Sequence, residues 1–267
     1  MTTRSPYVAG YFYPSKAKDL VDFFNRELTL STEKKPAKGI LVPHAGYIYS
    51  GKTAAKTFSQ VELTRTVIII GPNHSGVGVP FSLMPKGLWE TPLGKVPIDD
   101  NLANLLLKGP YFEADEEAHR SEHAIEVQIP FLQHLRPDIR FVPITLGTID
   151  TKSLKEAGAF VGKVLTESKE RVLLIASSDM NHYENERQTL DKDQAAIDAM
   201  LEVDEEKLAR VVRERKISMC GFVAAYMMLV AIKILGAMEG RLVEHTTSGR
   251  TSGDYERVVG YAGMIFS

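Results

Sequence analysis

Cysteine is nearly absent from this sequence. Cys220 stands alone among 267 residues, which excludes an intrachain disulfide framework and fits a reducing, cytoplasmic setting. A surplus of either charge is missing too, since 32 basic and 34 acidic side chains leave a formal net charge of −2. That balance gives no electrostatic footprint for nucleic acid or an anionic membrane, so neither is expected as a partner. The longest apolar run, residues 221–235, is interrupted by Lys233 and too short to span a bilayer. The opening MTTRSPYVAGYFYPS lacks the apolar stretch of a secretory leader. Linkers, internal repeats and low-complexity tracts are also lacking, and a single domain over residues 1–267 is expected.

What the sequence does contain is alternation. Short Val- and Ile-rich runs at 39–44, 66–71, 140–145 and 171–176 suit strands buried on both faces of a sheet. Helical patterns lie between and after them, at 17–28, 53–61, 101–108, 124–135, 154–167, 186–201, 205–214 and 221–235. Asp204 is placed to cap the helix that begins after it. Two further strands, 241–247 and 257–266, close the chain. Residues 76–98, with four prolines, predict an irregular hairpin or flap. The fold class expected is α/β: a mixed, largely parallel central sheet flanked by helices.

Histidines fall at informative places. His44 ends the first apolar run, His74 follows the second, and Asp179 and His182 follow the fourth. In an open α/β sheet ligands bind beyond the carboxyl ends of the strands, so these residues meet if the strands are parallel neighbours. His123 and Glu126, three apart at the start of a helix, can share a face, with His119 on the approach loop. Imidazoles with a carboxylate suit iron, copper, zinc or nickel, and a histidine left off the metal can carry protons. His134 and His245 are read as structural. Cys220 lies near a helix start, where a thiol gains reactivity, yet free cysteine is more often buried, and a structural thiol is the reading preferred.

Residues 46–53, GYIYSGKT, match the P-loop pattern after a strand and before a helix. A nucleotide hydrolase using Lys52 is therefore a third reading. Against it, Tyr47, Ile48 and Tyr49 put bulky side chains where phosphates need close backbone amides.

Taken together, AGYFYPS (9–15), PHAGYIYSG (43–51), GPNH (71–74), SEHAIEVQIPFLQ (121–133), SSDMNHY (177–183), MCGF (219–222) and TSGDYERVVGYAG (251–263) resemble the Memo family. That family is named for a mediator of receptor-driven cell motility. The resemblance implies a fold like that of class III extradiol ring-cleaving dioxygenases, which use non-haem Fe(II). It matches His44 and His74 to the metal-binding histidines and His182 to the acid–base histidine, with Asp179 and His123 lining the pocket. Fe(II) is the cofactor implied, with copper as the alternative. A third ligand is implied from the segment before the final strand, but residues 246–254 contain no Cys, Glu or His. Arg250 aligns near that position and would favour an anionic group instead. Asp254 could ligate only if the loop takes another path, and Asp179 could otherwise complete the set. Two readings follow: a dioxygenase-like redox enzyme on a small molecule or modified side chain, or a non-catalytic module binding a peptide, protein or anion.

Overall fold

The Val/Ile-rich runs form the centre of one nine-stranded sheet in the computed structural model, which describes residues 2–28 and 34–267. Its principal strands are β1 (Gly39–Val42), β2 (Thr66–Pro72), β3 (Phe81–Leu83), β4 (Arg140–Leu146), β5 (Val172–Ser177), β6 (His182–Glu184), β7 (Gly240–Thr247) and β8 (Val258–Phe266). The order along the sheet is β6-β8-β1-β5-β2-β4-β3, with the short Glu113–Ala114 strand at the far edge and β7 paired to β8. β1, β5, β2 and β4 run parallel, while β8 joins β1 and β3 joins β4 antiparallel. The sheet is thus mixed, with a parallel centre. Every residue of β1 and β2 is buried, which is why these strands read as continuous apolar runs rather than alternating ones.

The main helices are α1 (Ala17–Glu27), α2 (Lys52–Ser59), α3 (Thr151–Thr166), α4 (Glu186–Leu201), α5 (Glu205–Glu214) and α6 (Phe222–Ile234). α6 is apolar all round because it is covered on two sides, packing on β1, β2 and β5 and beneath α3. Asp204 caps α5 by accepting from Lys207 N. No helix among the described residues is long and apolar enough to cross a membrane. The proline-rich segment divides: Phe81–Leu83 joins the sheet, and Leu88–Thr91 pairs with Gly94–Pro97 as a hairpin extended by Thr3–Arg4.

Two expectations need correction. The helix expected from Ala124 begins as a single 3₁₀ turn at Glu126–Gln128 and becomes α-helical only at Ile129, so His123 lies on the loop before it. The P-loop lookalike is a π-helix, Tyr47–Gly51. Its amides are already engaged: Tyr47 N donates to Phe12 O, and Tyr49 N and Ser50 N both donate to Gly46 O. No phosphate cradle is open there. Gly51 has a packing reason instead, since a Cβ would lie 2.7 Å from the Phe23 ring.

Candidate metal centre

β1, β5 and β2 are parallel neighbours, so their carboxyl ends share one edge of the sheet. His44, Asp179 and His74 each lie two residues beyond one of those ends. A pocket of about 620 Å³ opens there, lined by His44, His74, His123, Asp179, His182 and Cys220, with Phe12, Val259 and Tyr261 among its apolar walls.

Hydrogen bonding fixes which imidazole nitrogen faces inward. Ser177 Oγ donates its one proton to Ala124 O at 2.6 Å and accepts from Gln128 Nε2. It must therefore accept from His44 Nδ1 at 3.0 Å, which leaves His44 Nε2 as a bare lone pair. His74 Nδ1 faces Glu122 Oε1 at 2.9 Å, and an ionised carboxylate only accepts. His182 Nδ1 faces the Ser218 carbonyl at 2.8 Å, so it too donates. His44 thus presents an Nε2 lone pair, and the neutral forms of His74 and His182 would do the same, the tautomer a metal ligand needs.

Cys220 is the donor that the sequence reading assigned to structure. Its Sγ lies 3.0 Å from His44 Nε2 and accepts from Asp179 N at 3.3 Å. The approach depends on Gly221, where a Cβ would sit 2.3 Å from Ser177 O. His44, His74 and Cys220 offer ligand atoms within 4.8 Å of one another, as do the overlapping groups His74, Glu122, His123 and Asp179, His182, Cys220. The described residues thus contain a candidate metal-binding cluster. The donor atom that completes this candidate group beside His44 and His74 lies just before α6, and residues 246–254 contribute none to the groups found among the described residues.

Burial sets the charges. It drives His44 down to about 3, reinforced by His74, and His123 to about 4, reinforced by His44, so both are neutral at physiological pH. Burial also opposes charge on the His74–Glu122 pair, yet their mutual hydrogen bond prevails, raising His74 and holding Glu122 down at about 2. Burial and the Asp179 carboxylate push the Cys220 thiol well up, so without a cation it stays protonated. Burial raises Asp179 against two amide bonds, from His44 N and Ala45 N.

The other residues singled out in the sequence lie away from this cluster. Glu126 does not share the His123 face: it is buried behind the pocket, 2.7 Å from Arg4 and accepting from Tyr7 N, Val8 N and Tyr13 OH. The carboxylate that reaches the site is Glu122, which the SEH triplet had displayed beside His123. Arg250 sits on the Gly249–Ser252 turn, exposed, and lines an adjoining cleft of about 940 Å³ with Lys52, Tyr11 and Tyr49. Asp254 is exposed and accepts from Glu256 N. His119 is not on an approach loop but fully buried between Ser82 Oγ and Thr145 Oγ1. His134 and His245, read as structural, make structural contacts: His134 lies tilted against Phe24 with ring centroids 4.8 Å apart, and His245 Nε2 bonds Asp193 at 2.9 Å.

Residues 4–265 match the family described as Memo-like protein. A MEMO1 family protein of Aquifex aeolicus is 43% identical over 272 residues, covering all of both chains. One from Pyrobaculum arsenaticum is 41% identical over 281 residues, covering 100% of this chain and 99% of its own. Among solved structures, an uncharacterized protein from Escherichia coli K12 shares the fold with a TM-score of 0.55 at 13% identity, over 85% of this chain and 98% of its own. With a match spanning nearly its whole length and relatives above 40% identity, this chain belongs to the Memo family.

Proposed function

We propose that this protein is a metal-dependent redox enzyme of dioxygenase-like architecture, acting on a small molecule or a modified protein side chain. One observation carries the proposal: His44, His74 and Cys220 bring ligand atoms within 4.8 Å of one another, with His44 Nε2 3.0 Å from Cys220 Sγ, while both Nδ1 atoms are hydrogen-bonded behind them. The donor set fits a transition ion. Imidazole suits iron and copper, and a thiolate in place of a carboxylate softens the set toward copper, so Fe(II) and copper are the two ions proposed. A redox-active ion held there supplies one-electron chemistry and polarises a substrate oxygen.

The surrounding residues have separable tasks. Glu122 orients His74 through Nδ1 and raises its basicity. Asp179 fixes the His44 backbone through Oδ1. His182, with Nδ1 tied to Ser218 O and Nε2 left free, takes and returns protons at the pocket. Phe12, His123 and Tyr261 form walls that limit water. Anaerobic titration with Fe(II) and then Cu(I) tests the centre: His44→Ala, His74→Ala and Cys220→Ser should each bind more weakly than wild type. Equal binding by all four proteins removes these residues as ligands.

A second reading, a non-catalytic module for a peptide or anionic ligand, draws support from the adjoining cleft, where Lys52 and Arg250 join Tyr11 and Tyr49 beside the shared Phe12. A ligand lost on Arg250→Ala but retained by His44→Ala would favour it.

A further inference from the structure

We propose that Tyr183 is a specificity residue of the histidine-lined pocket: its ring stands at the pocket rim, on a strained backbone, to receive a flat ring of the molecule that enters. This rests on the reading above that the pocket takes a substrate, and it names the shape of substrate selected.

Among the described residues, three that are not glycine hold a left-handed backbone: Tyr183 (φ 63°), Val203 (φ 52°) and Lys216 (φ 51°). Two have local explanations. Val203 and Lys216 each stand two residues past the end of a helix, α4 and α5, where that conformation commonly closes a helix, and the Val203 side chain is buried in the core. Tyr183 stands inside strand β6, at a bulge: His182 faces Val259 and Glu184 faces Val258, with a register shift between them. A bulky residue in that conformation is an outlier, and its cost persists only where the surroundings or a function require it. Ordinary strand geometry sends neighbouring side chains to opposite faces, yet His182 and Tyr183 both line the pocket. The bulge makes the difference by re-aiming one of the two. Glycine would form the same bulge without strain, so the backbone does not account for tyrosine.

Core packing does not account for it either, because Tyr183 is 66% exposed while it borders the pocket. Its neighbours hold the ring in one orientation. The Arg257 guanidinium lies over one face, 5.8 Å from the ring centroid, and the His182 ring stands 5.6 Å away in an edge-to-face arrangement. Phe12 and Tyr261 line the same pocket, with the Phe12 ring 4.7 Å from that of His123. Rings therefore supply most of the apolar surface that an entering molecule meets. Aromatic faces gain from offset or edge contact with another flat π system beyond the area buried, and a puckered saturated ring forgoes that gain. The ligand class selected is a planar unsaturated ring, set against Tyr183 and within reach of the His182 imidazole.

Nuclear magnetic resonance titrations of the whole protein with benzyl alcohol and with cyclohexylmethanol test this, since the two probes differ chiefly in ring planarity. The ratio of their affinities should favour the aromatic probe about 2–12-fold more in wild type than in Tyr183→Gly, the range one aromatic pair supports. The same variant should raise the thermal midpoint by about 2–4 °C as the strain is relieved, and bind Fe(II) within about twofold of wild type. Tyr183→Phe and Tyr183→Trp should keep the wild-type ratio, which separates the ring from its hydroxyl. A more stable protein that selects less well is the signature of strain kept for a ligand, whereas a merely structural tyrosine predicts lost stability and an unmoved ratio. Should Tyr183→Gly fold poorly by circular dichroism, Tyr183→Asn, which tolerates the same backbone, serves in its place. An unchanged ratio in these variants, a lower thermal midpoint in both, or no binding of benzyl alcohol by wild type overturns the role of Tyr183. The metal-centre reading is judged separately, on the titrations of the His44, His74 and Cys220 variants.

Discussion

Replacing Glu122 by Gln removes one charge and one acceptor from a fully buried position behind His74. In the native protein Oε2 accepts from His74 N at 2.6 Å, and Oε1 accepts from His74 Nδ1 and Ala124 N, each at 2.9 Å. Glutamine has a single acceptor oxygen. Whichever way the amide turns, its NH₂ group confronts an N–H donor, leaving at least one buried donor unpaired at a cost of about 1–3 kcal/mol. His74 also loses the carboxylate that orients it, and comparable losses weaken metal binding by roughly 10–100-fold. The signs of the pH dependence follow from the same pair. Glu122 is held below its ordinary value of 4.5, so its contribution is present above that pH and fades as pH falls toward about 2. His74 is raised above 6.5, so its contribution is present below 6.5 and is lost as pH rises through its folded value. The pair therefore stabilises the metal-free protein most strongly between about pH 4.5 and 6.5. Urea unfolding across that range, with chelator competition at neutral pH, measures both effects. A folded Glu122→Gln protein that binds metal within about twofold of wild type would refute the role given to this carboxylate.

His119 gives a second pH effect: burial lowers it to about 3, so the folded chain keeps it neutral while the unfolded chain takes a proton below 6.5. Stability should fall by up to about 1.4 kcal/mol per pH unit from 6.5 downward through this residue alone, and His119→Gln should flatten that acid limb in chemical unfolding. Arg4→Met strands the Glu126 carboxylate in the interior and should cost about 3–5 kcal/mol, read as a lower urea midpoint. Lys216 holds a left-handed backbone, φ 51°, where the chain leaves α5 with Lys216 N on Arg213 O and Ile217 N on Val212 O. Glycine suits that position, so Lys216→Gly should stabilise by about 1 kcal/mol, raising the thermal midpoint.

The parallel strands were legible because burial on both faces leaves a run of Val and Ile with no polar interruption. The placement of His44, His74 and Asp179 was legible for a related reason: a residue just past a central strand has only one edge of the sheet to occupy. Cys220 was not, because its position depends on Gly221 packing against Ser177 and Ser178, a contact between segments about 40 residues apart. Glu122 and Glu126 could not be told apart by helical spacing, since the helix begins after the first and turns the second toward Arg4. Arg250 was misplaced by counting along a loop that folds into a short helical turn and carries its side chain to the adjoining cleft.

The link between Cys220 Sγ and His44 Nε2 spans 176 residues. It joins the approach to the late helix α6 with the end of the first central strand. A chain still emerging from the ribosome thus has His44 and His74 long before it has the sulfur, and it has no half-built site with comparable grip. Ion capture must wait until long-range parallel pairing is complete, the slow step in folds of this kind. An ion bound at the proposed centre would stabilise the entire native state rather than one loop, by an amount that rises with the logarithm of its free concentration. If the proposed ion binds, metal supply and folding yield would be coupled through this one long-range bridge.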